Sequence, residues 1–257
     1  MRLRAPAAVL GLFVVIAAAS ACSNPLGKQY EYEEQVYLTM DGGASIIIDA
    51  SIPALVALRG AALNPASTAR VDQAAVQKVF EQSGCQNIRQ VGSPWRRKDR
   101  WFIQVRIDTD DVRQAGRCGM LNWSTYAFER DAGGLHYEQR VGAAAGGNPG
   151  KVNWDGSELV AFRLHLPSRI VYHNLRKRDT DEAGSPDRGN ILTFEQPLAE
   201  RRAGLPLHMD VRMEGESILR HTLILFAGAT AAALATMATL IWLAIRRGRA
   251  RARAART

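Results

Sequence analysis

Cysteine is scarce in this sequence: there are three in 257 residues, and none has a second Cys or His at finger spacing. That excludes a zinc finger or ribbon, which needs paired ligands at short intervals. Histidine is scarce too. The five are His136, His165, His173, His208 and His221, and no HExxH pattern joins any two. Ser124 and Ser168 lack the GxSxG elbow of a serine hydrolase. Gly150-Lys151 ends like a phosphate loop, but Val152 stands where Ser or Thr is needed and Ala145 where the first Gly is needed. Asp108-Thr109-Asp110-Asp111 lacks the glycine and distal glutamate of an EF-hand, and reads better as a helix cap. There is no internal repeat. With no catalytic signature, the expectation is a protein that is not an enzyme and holds no metal and no cofactor.

The middle of the chain also lacks a charge excess. Lys and Arg number 33 against 25 Asp and Glu. Eight of the arginines are terminal: Arg2 and Arg4 at the start, then Arg246, Arg247, Arg249, Arg251, Arg253 and Arg256. What remains is balanced, at 25 of each sign. A nucleic-acid binder carries its basic excess on the folded body, so nucleic acid is excluded as a partner. Hydrophobic residues make up 47% and are spread along the chain, which excludes a long disordered protein.

The two ends read as address labels. Residues 1–4 form a positive n-region, residues 5–19 are uncharged, and Ala19-Ser20-Ala21 ends the segment with small residues. That is the layout of an export signal over residues 1–21. Cys22 follows at once, as in a bacterial lipobox, and is the expected lipidation site; the departure is Ala19 where such boxes carry Leu. Residues 22–29 are a tether. At the other end, residues 222–245 are 24 residues without a charge. At 1.5 Å per residue they reach about 36 Å, enough for a bilayer core of about 30 Å with some tilt. Trp242 lies near one end as an interfacial anchor. The tail, residues 246–257 with Arg246, Arg247 and Arg249 at its start, is cytoplasmic by the positive-inside rule. It also suits anionic lipid headgroups. The body, residues 30–216, is then expected outside the cytoplasm, which the export signal independently requires. Within the span, Gly228 and Ala232 form a small-xxx-small pair that suits helix approach.

An oxidising compartment makes Cys85 and Cys118 an even pair once Cys22 is lipidated. A bond between them closes a loop of 34 residues. The remaining expectation is α+β: an antiparallel sheet with a few short helices packed on it, plus one C-terminal transmembrane helix. Residues 34–40 and 44–50 alternate apolar and polar around Asp41-Gly42-Gly43, a hairpin signal. Residues 53–62 form a short helix after Ser51. Residues 72–83 form an amphipathic helix with Val76, Val79 and Phe80 on one face and Gly84 as its stop. Residues 88–95 and 100–107 are strands around the polar turn 96–99. A short helix over 108–114 is capped by Asp108, Thr109 or Asp110. Residues 121–130 and 134–141 form a second hairpin. Residues 142–150 are a mobile loop and 175–189 a solvated one. Strands over 158–166, 169–173, 190–194 and 205–213 complete the body.

This order resembles the LppM-type domain of bacterial envelope lipoproteins. The residues that carry it are Val36-Tyr37-Leu38-Thr39-Met40-Asp41-Gly42-Gly43-Ala44-Ser45-Ile46. To these are added Phe162-Arg163-Leu164-His165-Leu166-Pro167-Ser168-Arg169-Ile170-Val171 and Gly189-Asn190-Ile191-Leu192-Thr193-Phe194. Ser168 and Phe194 depart from the family's glycine and tryptophan. The resemblance spans residues 30–213. It implies an envelope lipoprotein domain in contact with lipids or glycolipids, and it brings no catalytic residues.

The aromatic residues Trp95, Trp101, Trp123 and Trp154, with Phe102 and Tyr126, suit either a core or a groove. The sharper expectation is an amphiphile bound between sheet and helix near Trp95 and Trp101, with Arg97 holding an acidic headgroup. The expected partners are membrane lipids, and envelope proteins in the alternative of an interaction module with no small ligand. An exposed apolar strip along an edge strand, such as residues 44–50, would favour that alternative.

Overall fold

The computed structural model describes residue 28 and residues 30–254 apart from 91, 92 and 179. The expected export signal over residues 1–21 and the expected lipidation site Cys22 lie outside the described residues. Eleven strands are described: β1 (Tyr30–Leu38), β2 (Ala44–Ser51), β3 (Ile88–Gln90), β4 (Trp95–Arg97), β5 (Arg100–Thr109), β6 (Ser124–Asp131), β7 (Gly134–Val141), β8 (Leu159–His165), β9 (Ser168–His173), β10 (Ile191–Pro197) and β11 (Leu207–Ser217). The helices are α1 (Ile52–Arg59), α2 (Gln73–Gln82), α3 (Leu198–Arg202) and α4 (Ile218–Ala254), with a 3-10 turn at Val112–Arg117.

The strands form two sheets. The larger runs β10-β8-β1-β2-β5, with β3 and β4 on the far side of β5. The smaller runs β6-β7-β11-β9. Strict alternation in β1, β2 and β5 sends every second side chain to the core, as period-2 patterning requires. The register then lines up apolar rungs. Leu192, Leu164, Val36, Ile46 and Ile107 stand opposite one another across five strands. The smaller sheet answers with Tyr126, Phe128, Leu135, Tyr137, Met209, Val211 and Met213, all buried.

The first hairpin depends on Gly42. Its φ is +90°, and a Cβ there would lie 2.6 Å from Cδ1 of Phe128 on the opposing sheet. Both the left-handed backbone and the close approach demand glycine. α1 follows β2 directly and is buried throughout. Ser51 caps it by accepting from the Ala54 N–H, Pro53 sits in the first turn, and Gly60 ends it in the left-handed region.

Several expectations are corrected. The large sheet is not wholly antiparallel, because β1 and β8 run parallel. Residues 88–95 are not one strand: β3 and β4 pair with the same side of β5 but are separated, and Pro94 between them has no N–H for the ladder. Residues 44–50 offer no edge, since β2 lies between β1 and β5. β5 continues to Thr109, paired with Ala44, so the following turn is pushed on to 112–117 and capped by Asp111. Residues 142–150 form a loop, as expected, and its middle touches α1. The Ala145 N–H donates to Leu58 O at 2.8 Å, and a Cβ on Gly147 would fall 2.0 Å from Val56 O. A short helix, α3, follows β10 over residues to which the sequence assigned no element.

Candidate functional site

Cys85 and Cys118 are bonded, with Cα atoms 4.2 Å apart. The bond ties the end of α2 to the 3-10 turn, and the Gly119 N–H donates to Ser83 O at 2.7 Å beside it. α2 otherwise rests on Val76 and Phe80, its two buried residues.

The other end of α2 faces the β4–β5 hairpin. Trp95 stands opposite Phe102, Arg96 opposite Trp101, and Arg97 opposite Arg100. Directly opposed residues share a face, so the expected trio is divided. Trp95 stacks on Phe102 with centroids 5.8 Å apart, and Arg97 lies 4.1 Å from the Phe102 centroid on that same outer face. The Arg97 Nη2 also donates to Tyr30 O at 2.6 Å. Burial lowers the Arg97 pKa from its ordinary value.

Trp101 points to the opposite side, with the guanidinium of Arg96 5.6 Å from its ring. It is half-buried and lines an open cleft of about 550 Å³ with Arg70, Val71, Asp72, Gln73, Ser93 and Pro94. The cleft sits where the edge strand breaks and the chain enters α2. Arg70, Ser93 and Pro94 were not foreseeable as lining, because only the sheet order brings 70–73 to 93–101. Arg96 is the cation that shares a face with Trp101; Arg97 is not.

Beneath the surface lies a second polar centre. Glu34 is fully buried in a rung with Phe194, Phe162, Ile48 and Val105. Tyr126 Oη donates to Glu34 Oε1 at 2.8 Å, Gln139 Nε2 donates to the same oxygen at 2.8 Å, and Tyr32 Oη donates to Oε2 at 3.1 Å. Burial pushes the Glu34 carboxyl above its ordinary range, against those three donors. The signal for it was present: Tyr32, Val36 and Leu38 all point inward, so Glu34 must as well.

Trp123 packs beside this centre, with Tyr32 edge-on at 5.1 Å and Phe162 at 5.6 Å. Arg59 lies 4.7 Å from its ring and Arg201 5.5 Å. Arg59 Nε donates to Met120 O at 2.9 Å, and Arg201 Nη2 donates to Gly142 O at 2.6 Å. Trp123 and Tyr126 are therefore core. Trp154 is half-buried and donates to Glu31 Oε2 at 3.2 Å. Glu31 in turn pairs with the buried Arg100 at 2.8 Å.

The histidines do not converge. His165 stacks on Tyr37 at 3.8 Å in the large sheet, whereas His173 stands opposite Val211 in the small one. Burial lowers the pKa of both. At the C-terminal end, α4 continues from β11 without a linker and holds an apolar stretch, Thr222–Arg247, long enough to cross a membrane. None of that stretch is buried against the body. Arg246 lies 5.3 Å from the Trp242 ring, and Arg247 and Arg249 continue the same helix.

No family model matches the chain, and no curated protein matches it. Among solved structures, the chain is similar to the folded domain of the LppM protein of Mycobacterium tuberculosis. They share 11% identity over 76% of this chain and 96% of that one, at a TM-score of 0.37. That is the domain type the opening hairpin resembles, and at this identity and TM-score the likeness says nothing of function.

Proposed function

We propose that the chain is a membrane-tethered, non-catalytic ectodomain that binds an amphiphilic envelope ligand, a lipid or glycolipid with an acidic headgroup, in the Trp101 cleft. One observation carries this: a half-buried tryptophan lines an open cleft of about 550 Å³ with Arg70 at its wall and Arg96 against its ring. The volume is in the range of small-molecule sites, about 300–1,000 Å³. An indole face suits an acyl chain or sugar ring, and a guanidinium suits a phosphate or carboxylate. The non-catalytic part is supported by the sequence, which carries no catalytic signature, and by the burial of Glu34 between the two sheets.

The test uses the full chain in detergent micelles, titrated with short-chain phosphatidylglycerol and followed by tryptophan fluorescence. Wild type is expected to give a saturable change. Trp101→Ala is expected to weaken it at least about tenfold, the loss of roughly 1.4 kcal/mol. Equal affinity in a folded variant removes the cleft assignment, and recovery of a chemically altered lipid removes the non-catalytic one.

A second reading, an interaction module, is favoured by β9. It is an edge strand of the small sheet, with Val171 67% and Tyr172 47% exposed. Such an edge can accept a partner's strand.

A further inference from the structure

We infer that the β4–β5 hairpin tip docks on an anionic lipid surface opposite the bilayer that holds α4, so that the chain bridges two surfaces. The inference rests on the membrane-tethered reading above and concerns where the partner surface lies.

The first observation is the register, which places tip and span at opposite ends of the body. Thr109 of β5 stands opposite Ala44, and Ala44 opposite Leu38. Tyr37 beside it stands opposite His165 at the end of β8. Two residues on, Pro167 O accepts from the Ile218 N–H at 3.2 Å, where α4 begins. The hairpin tip lies at the other end, where Arg97 bonds Tyr30 at the start of β1. β5 has ten residues, so tip and span origin are separated by about 30 Å along the strands. The apolar stretch of α4 buries nothing against the body, so it does not fold back over it.

The second observation is the chemistry of the tip. Lys98 and Asp99 form its turn at φ values of +46° and +58°. Trp95 is 37% exposed on one face, and Trp101 is half-buried on the other. Arg96 and Lys98 are exposed and Arg97 is half-buried. The facing acids are Asp99, whose Oδ1 is 3.6 Å from Arg96, Asp155, close enough to Lys98 for its carboxyl to feel that charge, and Glu31 and Glu33, whose charges act on the half-buried Arg97 and leave Arg96 and Lys98 as the cations free to meet lipid. Tryptophan flanking a basic turn is the composition of an interfacial anchor, in which the ring sits at headgroup level and the cations face anionic lipid. At this end of the molecule, such an anchor faces away from the chain's own bilayer.

The experiment uses the full chain reconstituted in phosphatidylcholine vesicles and mixed with protein-free vesicles, with bridging read by light scattering. Protein-free vesicles containing phosphatidylglycerol are expected to bridge, and pure phosphatidylcholine vesicles are not. Bridging should fall as salt shortens the Debye length from about 10 Å at 0.1 M to about 3 Å at 1 M. Lys98→Glu changes an exposed turn residue that does not line the Trp101 cleft. It reverses one charge near the docked surface and is expected to weaken bridging roughly tenfold, while the fluorescence titration with short-chain phosphatidylglycerol stays as in wild type. Equal bridging by this variant overturns the inference. So does an absence of bridging while short-chain phosphatidylglycerol still changes the Trp101 fluorescence. That last result leaves the cleft reading standing and leaves the tip with no second surface to dock on.

Discussion

A carboxylate at the centre of an apolar rung costs folding energy unless it is neutral or fully bonded, and Glu34 bears both marks. Tyr126, Gln139 and Tyr32 donate to it, and burial still pushes its pKa up. The sign follows directly. In the unfolded chain the group ionises near an ordinary value of about 4.3. In the fold it keeps its proton to a higher pH. Between those points the folded state binds more protons, so its stability falls as pH rises. Glu34→Gln keeps the shape and an acceptor oxygen but cannot ionise. The expected outcome is a melting temperature for the variant that gains on wild type as pH rises above the ordinary carboxylate range, and stops gaining once Glu34 ionises in the fold. Glu33 and Asp49 on the outer face are also pushed up by burial, but both proteins share them, so the difference isolates Glu34. A gap that does not vary with pH would show that Glu34 ionises alike folded and unfolded. Position 34 was legible in the sequence, because inward neighbours at 32, 36 and 38 leave it no other face. Two of its three donors were not, since Tyr126 and Gln139 come from the opposing sheet.

Among the elements, strands with clean alternation were readable where they fall, and their order was not. The hairpin over 34–50 and the strand over 100–107 carry their own pattern and turn residues, so local chemistry suffices. The parallel pairing of β1 with β8 joins residues more than a hundred positions apart, and nothing local encodes it. The same holds for the Trp101 cleft, whose two walls come from separate stretches. The split of Trp95 and Arg97 from Trp101 was legible in principle, because alternation alone sets 95 and 97 on one face. The turn expected over 96–99 hid it, because Arg96 and Arg97 belong to the ladder, paired with Trp101 and Arg100. α2 is the element whose fate depends most on one covalent link. It buries Val76 and Phe80, and its end is tied by Cys85–Cys118. For a loop of this length the chain-entropy model assigns the bond about 3–4 kcal/mol. Replacing both cysteines by serine is therefore expected to lower the melting temperature by roughly 10 °C. Hydrogen exchange should quicken first in α2 and the 3-10 turn. Uniform quickening across both sheets would mean that the bond supports the whole core rather than one helix.

On the scale of the whole molecule, charge is sorted by place. The body between the termini holds as many acids as bases, while six arginines cluster within twelve residues of the C-terminus. The span before them buries none of its apolar stretch within the body, so that surface needs another solvent to cover it, and a bilayer supplies one. Moving clustered arginines across a hydrocarbon core is costly, which keeps them on the side where synthesis leaves them. On the positive-inside expectation the body lies outside, in a compartment where Cys85 and Cys118 can stay bonded. This orientation makes a definite prediction in a bacterial host. Green fluorescent protein fused after Thr257 should fluoresce, because it folds in the cytoplasm. Alkaline phosphatase fused after Ser217 should be active, because it needs an oxidising exterior. Replacing Arg246, Arg247 and Arg249 by Glu should lower the first signal by weakening the retention of the tail. A dark fluorescent fusion with an inactive phosphatase would invert the molecule, and would place the Trp95–Trp101 hairpin in the cytoplasm, where neither the disulfide nor an opposing envelope surface is available to it.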